Sequence, residues 1–439
     1  MLDKNEVKET EELLEDMMKL AREKLLCSND IDARPSIHSH MARIAILDVL
    51  ITIDYEPRRV STHQFEMELI ASHMRTAFSA PDHRLYVRSG YPSKPFLAEA
   101  ANRQLHHYMK VDRRFSMIGE LKDQLDAGLI DLGQKGEVVM RFLLRRAYMD
   151  AIIREQKKQT SPNFSIGCTF VTFLRALFAR AFHTSVLNHG PDNIAEPSPP
   201  TLQAAFKNAV VRFTHFVKAA DDVAMTTRGM TMGFLRGAAI IGWNDQKSID
   251  IAIPILLNRS DKIEEASMSA FLIQVKRRTQ RGTVNAYLID AEMLDFFGGD
   301  AQNDTPYVTL VAELAVKPSP KSPGNVVLGE SPVRTSPRLE KPHPRYSIRA
   351  YDCTHKTWNV VPAADCDQYK YILSLDDLLG DHPRQDEASL RVVRRLLPFW
   401  YSDPVWFADK ASDEAMVPIP GHEDVKMEQT GAGESMVID

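Results

Sequence analysis

Over the first 190 residues the apolar positions recur mostly three and four apart, the spacing of helices that bury one stripe. Residues 3–26 set Leu13, Met17, Leu20 and Lys24 on one line, with Leu14, Met18 and Leu25 beside it. Glu9, Glu11, Glu12, Glu15 and Asp16 supply a wet side, so a helix is predicted that ends by Asp30 and Pro35. The apolar run Met41–Ile53 fits a helix by its length and a buried strand by its β-branched end. Helical spacing returns over 61–80 through Phe65, Leu69, Met74 and Phe78. Pro81, Gly90, Pro92 and Pro95 mark 81–95 as loop, and helices are predicted at 96–110, 116–126 and 136–158. The last of these carries Val138, Val139, Phe142, Leu143, Tyr148 and Ile152 towards a core. Its Arg141, Arg145, Arg146, Arg154, Lys157 and Lys158 make a basic face suited to tracking a phosphate backbone. Phe164–Phe182 predicts one further, strongly apolar helix.

Beyond this mainly α-helical region, 1–190, a Pro-rich linker spans 191–201. A helix is predicted from Leu202 to Ala220 on Phe206, Val210, Phe213 and Val217, and another from Asp222 to Leu235. The period then changes. Gly237–Trp243 is a short apolar run, Asn244–Lys247 is a turn signal, and Ser248–Leu257 alternates. Further strands are predicted at Ser269–Lys276, Val284–Ile289, Tyr307–Val316, Tyr346–Tyr351 and Thr357–Val361, with an antiparallel meander at the start of the sheet. Pro318–Pro344 holds seven prolines, four Ser-Pro pairs and little apolar content, so 317–343 is expected to be a disordered insertion. Residues 366–400 read as helices, and 411–439 as an acidic disordered tail. The expected fold class is therefore α/β (α+β): a helical N-terminal region followed by a mixed-sheet region over 202–410.

Composition narrows the function classes. In 439 residues, 44% hydrophobic and 26% charged, no apolar run approaches the ~18 residues of a membrane helix. The N-terminus is polar, unlike a secretory signal. Cys27, Cys168, Cys353 and Cys366 make no disulfide framework, so a reducing compartment, cytoplasmic or nuclear, is expected. The net charge of −5 is uneven: the tail from Ala411 holds seven acids and one base, which leaves the body near neutral. Nucleic acid thus stays open as a partner, while a uniformly basic coat protein is excluded.

No P-loop, G-x-G-x-x-G, H-E-x-x-H, G-x-S-x-G or C-x-x-C occurs. Cys353, His355 and Cys366 share one stretch but lack a fourth zinc ligand. One constellation carries chemistry. Asp250 lies between Ile249 and Ile251, and Gln274-Val275-Lys276 ends another predicted strand. Residues two apart on a strand share a face. If the strands pair, Asp250, Gln274 and Lys276 converge, an arrangement able to hold Mg²⁺ through oxygen and to place a lysine at a phosphate. Arg277, Arg278 and Arg281 follow, within reach of flanking phosphates.

The helix, short strand, turn, strand with Asp250 and strand with Gln274-x-Lys276 together resemble the restriction-endonuclease-like PD-(D/E)XK nuclease superfamily, over about residues 202–316. The resemblance implies that Asp250 and Gln274 ligate a metal and that Lys276 is catalytic with them. It also makes Glu137, in Gly136-Glu-Val-Val, the counterpart of a first-helix glutamate that many members carry. Ile249 stands where the family normally has proline, and Gln274 where it has an acid. Arg88–Ser93, Val211–Phe216, Phe271–Arg277 and His343–Arg349 further resemble uncharacterised fungal proteins of crinkler type, derived from mobile elements. The implied function is a Mg-dependent nuclease, or a degenerate nuclease-like domain, acting on DNA. The competing expectation is a non-catalytic interaction or scaffold protein that meets protein partners through its helical half. In either case no membrane is a partner.

Overall fold

The amphipathic first segment folds as α1 (Lys4–Leu26) in the computed structural model. Residues 4–374 are described, apart from 56–59, 81, 83–86, 131–134, 158, 160, 195–197, 244–247, 279, 282–288, 292–293, 299–303, 317–324 and 330–342. The predicted stripe on α1 is corrected: Leu13, Met17 and Leu20 are exposed, and Met18, Leu25 and Leu26 face the core. α2 (His40–Ile51) settles the open segment as helix. Ser39 caps it by accepting from the Ala42 N–H at 3.0 Å, and nearly every later residue is buried. α3 (Val60–Ser72) stops early, and the chain turns at Met74, whose φ is positive. Phe78, expected on that helix, lies instead on β1 (Thr76–Ser79), which pairs antiparallel with β2 (Arg88–Gly90) inside the expected loop. α4 (Pro95–Val111), α5 (Met117–Asp126) and α6 (Lys135–Glu155) follow the predicted helices closely.

α6 is covered almost all round, packing on α2 and on elements that come later in the chain. The predicted basic face is therefore split: two of its arginines turn inward, while Arg154 and Lys157 are exposed and Arg146 is half-buried. Arg141 is buried and donates to the Thr52 carbonyl at 2.5 Å; Arg145 is buried and donates to the Thr214 carbonyl at 3.0 Å. Each guanidinium makes this one bond to backbone oxygen, and Arg141 Nε and Nη2 and Arg145 Nη1 and Nη2 are buried with no further hydrogen-bond partner.

Two predicted helices are broken. Phe164–Phe182 becomes β3 (Cys168–Thr169), α7 (Phe170–Leu177) and α8 (His183–Asn188), joined by 3-10 turns. Gly167 forces the first break: its φ is +86° and a Cβ there would sit 2.8 Å from the Val211 carbonyl, so a side chain is excluded. Leu202–Ala220 becomes α9 (Leu202–Ala205), β4 (Val210–Val211) and β5 (His215–Lys218). Its apolar positions keep helical spacing, and pairing with neighbouring strands overrides it. α10 (Thr227–Arg236) ends on Gly237 in the left-handed conformation.

The sheet continues through β6 (Ala238–Ile241), β7 (Ile251–Leu256), β8 (Met268–Lys276), β9 (Tyr307–Glu313), β10 (Val326–Leu328) and β11 (Arg345–Tyr351). α11 (Cys366–Leu373) closes the described chain. Nine strands form one mixed sheet in the order β10-β11-β9-β8-β7-β4-β3, with β6 also on β7 and β5 beside β6. β6, β7 and β8 form the expected antiparallel meander, whereas β5–β6, β8–β9 and β9–β11 are parallel. The edge of β7 is forked: Ile251 and Ala252 pair with β6, Ile255 and Leu256 with β4.

β8 shows the layering. Phe271, Ile273 and Val275 enter the core shared with α6 and α7, while Met268, Ala270 and Leu272 face a second core with Met230 and Phe234 of α10. The first core runs unbroken from Leu47 and Leu144 to Phe271 and Leu310, so the helical region and the sheet share it. The fold is α/β with a helical N-terminal region.

Two more expectations are corrected. Val326–Leu328, within the predicted insertion, is a strand on the edge of β11. Thr357–Val361 is not a strand; it makes a single bridge from Trp358 to Phe178, whose rings stack at 5.5 Å. Most of the Val284–Ile289 strand, the four Ser-Pro pairs, the helices beyond 374 and the acidic tail lie outside the described residues.

A buried ionic network holds the N-terminal elements. The Arg75 guanidinium pairs with Asp48 and, at 3.3 Å, with Glu66, and lies 4.8 Å over the Tyr55 ring. Asp48 also accepts from the Ile53 N–H at 2.8 Å, and Glu66 from Ser89 Oγ at 2.6 Å. Removing one partner strands the others, so Arg75→Ala should cost about 3–5 kcal/mol in urea unfolding; a cost near zero would mean that water reaches the network.

His215 opens β5, its ring nitrogens 3.0 Å from Thr214 Oγ1 and 2.9 Å from Ser93 Oγ. Burial, helped by Arg145 and Arg236, pushes its pKa down to about 4. The folded state thus holds it neutral, while the unfolded chain takes up a proton near pH 6.5. Its contribution is complete above that value and is lost as pH falls towards 4. About 2 kcal/mol should disappear between pH 7 and pH 5. His215→Gln should flatten the pH dependence of the urea midpoint over that range.

Candidate functional site

The end of the sheet where β5, β6 and β8 finish and β7 begins gathers the sequence-predicted residues. Asp250 stands one residue ahead of β7. Its carbonyl accepts from the Gly242 N–H at 2.8 Å and its own N–H donates to Ile273 at 2.9 Å. Its carboxylate reaches across to accept the Val275 N–H at 2.5 Å. Asp250 is thereby fixed by backbone from two strands. Ser248, two residues earlier, holds a positive φ that turns the chain into this position.

Gln274 and Lys276 lie two apart on β8 and so share a face. Gln274 is 7% exposed, and its Oε1 is buried with no hydrogen-bond partner. An amide oxygen left so in a folded interior is costly unless something occupies it. Lys276 stands in parallel register beside the buried Glu313 of β9.

Glu137 arrives from the other layer, in the first turn of α6. That turn packs directly on β8: a Cβ at Gly136 would lie in ordinary contact, 3.5 Å from Val275 Cγ1 and 3.6 Å from Arg277 Cβ. Burial first, and then the negative charge of Asp250, raise the Glu137 pKa, against the pull of Arg141. Burial also raises the Asp250 pKa, offset by the Val275 N–H and by Lys276. Asp250 thus acts on Glu137, and Lys276 on Asp250.

The three arginines diverge. Arg277 passes against the start of α6 and Arg278 is exposed. Arg281 instead lies 3.9 Å over the Tyr351 ring at the end of β11.

Three neighbours escaped the sequence reading. Lys218, the last residue of β5, pairs with Asp54 at 3.5 Å, and both act on Glu137. Lys218 was assigned to a helix, which hid its place at a strand end. Trp243, one residue past Gly242, is 48% exposed. Its signal was a large aromatic placed directly before a polar turn.

The donors that meet here are two carboxylates, Glu137 and Asp250, while alternation turns Gln274 to the face of β8 away from α6. Two carboxylates suit a hard cation that keeps several waters. Among the described residues no group of three or more His, Cys, Asp or Glu is placed to hold a metal. His355 Nδ1 lies 3.4 Å from Cys366 Sγ, without such a ligand set around them.

Residues 34–292 match the family described as domain of unknown function (DUF8736), and the chain belongs to that family. The matched span covers Glu137, Asp250, Gln274 and Lys276 and crosses from the helices into the sheet. No curated protein and no solved structure matches the chain.

If Asp250 and Glu137 share a field, Asp250→Asn should lower the Glu137 carboxyl pKa. Carbon-detected NMR titration of that carboxyl reads this directly, and an unmoved titration would separate the two groups.

Proposed function

We propose that this chain is a metal-dependent phosphodiesterase acting on nucleic acid, with DNA the substrate favoured by its resemblance to nucleases. The observation that carries the reading is the meeting of two carboxyls with raised pKa values, Glu137 and Asp250, at this end of the sheet. Carboxylates held together in a poorly hydrated place take up either a proton or a cation.

Asp250 and Glu137 would hold Mg²⁺. When bound, the ion would polarise a phosphate oxygen and acidify a water. The chain's own residues do the rest. The Val275 N–H pins one oxygen of Asp250 and so aims the other. Lys276, whose charge already favours ionised Asp250, offsets negative charge that builds on a non-bridging phosphate oxygen. Arg277 and Arg278, which follow directly on the strand, suit flanking phosphates and position the backbone without reading sequence.

Mg²⁺ or Mn²⁺ titrated into a plasmid-nicking assay tests the reading. Cleavage should require the metal, stop with EDTA, and fall about a hundredfold or more in Asp250→Ala and in Lys276→Ala. Cleavage that proceeds without metal sinks the proposal. Intact DNA binding with no cleavage leaves a binding module on the same fold and moves the search to protein partners of the helical half.

A further inference from the structure

We infer that Trp243 is a base-stacking residue and that the substrate class of this sheet end is single-stranded nucleic acid; the inference rests on reading that end as a nucleic-acid site. Three observations converge on it.

The first is exposure. Trp243 is half exposed although the apolar cores on both faces of the sheet lie close by, and the chain's other described tryptophan, Trp358, is fully buried. Leaving a large indole in water forgoes the burial that usually places it inside.

The second is position. The residue before Trp243 donates its N–H to the Asp250 carbonyl, so the indole projects from backbone anchored to the candidate site. Ile241, two residues back, pairs in parallel register with Lys218. Trp243 thus stands between the exposed Lys218 on one side and the β8 end, with Lys276, Arg277 and Arg278, on the other.

The third is chemistry. Basic side chains that follow a backbone, interleaved with an aromatic face, are the combination that holds unpaired strands. Every base has a π-face, and stacking needs no particular sequence. In a duplex those faces are covered by neighbouring pairs, so an indole at the rim meets a base only where the strand is open or the base is turned out.

The test uses the full chain in EDTA, so that binding is read without cleavage. The probes are labelled oligothymidylate of about 16 nucleotides, its duplex with oligoadenylate, and oligouridylate of the same length, followed by fluorescence anisotropy. The single strands should bind more tightly than the duplex. Trp243→Ala should weaken single-strand binding about tenfold and duplex binding little. Trp243→Phe, which keeps a ring, should recover most of the loss. Comparing oligothymidylate with oligouridylate separates DNA from RNA as the source of the bases. Far-UV circular dichroism confirms that each variant is folded.

Single-strand binding that depends on Trp243 without any Mg²⁺-dependent cleavage would sustain this inference and remove the phosphodiesterase reading. Cleavage of single and double strands at equal rates, indifferent to Trp243→Ala, would do the reverse. Absence of binding to all three probes overturns the inference.

Discussion

Everything in this fold leans on the burial of α6. A helix in the usual surface position keeps one wet side, but α6 has almost none along its middle. It needs helices on one flank and a sheet on the other, and both come from segments distant in the chain. α2 and α7 cover it from the helical region, and β8 closes the opposite side. Its two buried arginines make the arrangement specific. Arg141 and Arg145 each reach one backbone acceptor, Thr52 just past α2 and Thr214 just ahead of β5. Sliding α6 by one turn would remove those bonds as well, and a buried unpaired charge costs more than most packing errors.

That constraint also creates the candidate site. Docking α6 on β8 brings its first turn over the end of the sheet, with Gly136 against Val275 and Arg277. Glu137 then meets the field of Asp250, which the β6–β7–β8 meander has pinned by backbone hydrogen bonds. The carboxyls are 113 positions apart in sequence and belong to different layers. Their mutual influence is a product of packing, and so is the raised pKa that each carries through burial. The match to DUF8736 spans both layers, in keeping with a unit in which neither layer has a separate core.

The periodic segments show where sequence patterns hold. α4, α5 and α6 fall close to their expected limits, because long helical spacing with capping residues leaves little ambiguity. The β6–β7–β8 meander was legible from alternation and the turn signal. Failure came where helical spacing met strand partners from elsewhere in the chain. Val210, Phe213 and Val217 lie on a helical line, and only the presence of β6 and β7 decides for strand at Val210 and Val217. Phe164–Phe182 failed for a different reason: Gly167 is placed against a carbonyl that its own sequence neighbourhood does not reveal. On α1 the helix was right and the buried stripe wrong, since the face covered depends on which helix lies beside it.

By itself the sequence determined that the chain has a helical N-terminal region followed by strands, that the segments around Asp250 and Gln274-x-Lys276 are extended, and that Glu137 opens a helix. Those facts follow from local periodicity, which needs no partner. Tertiary structure alone decided that the two extended segments pair, that Arg141 and Arg145 of α6 are internal rather than part of a basic surface, that Arg281 turns to Tyr351, and that Lys218 and Trp243 flank the candidate site. The physical reason is the same throughout. Whether a charge faces water or a carbonyl depends on what packs against its element, and that is set by contacts a hundred residues away, not by the spacing of the residues next to it.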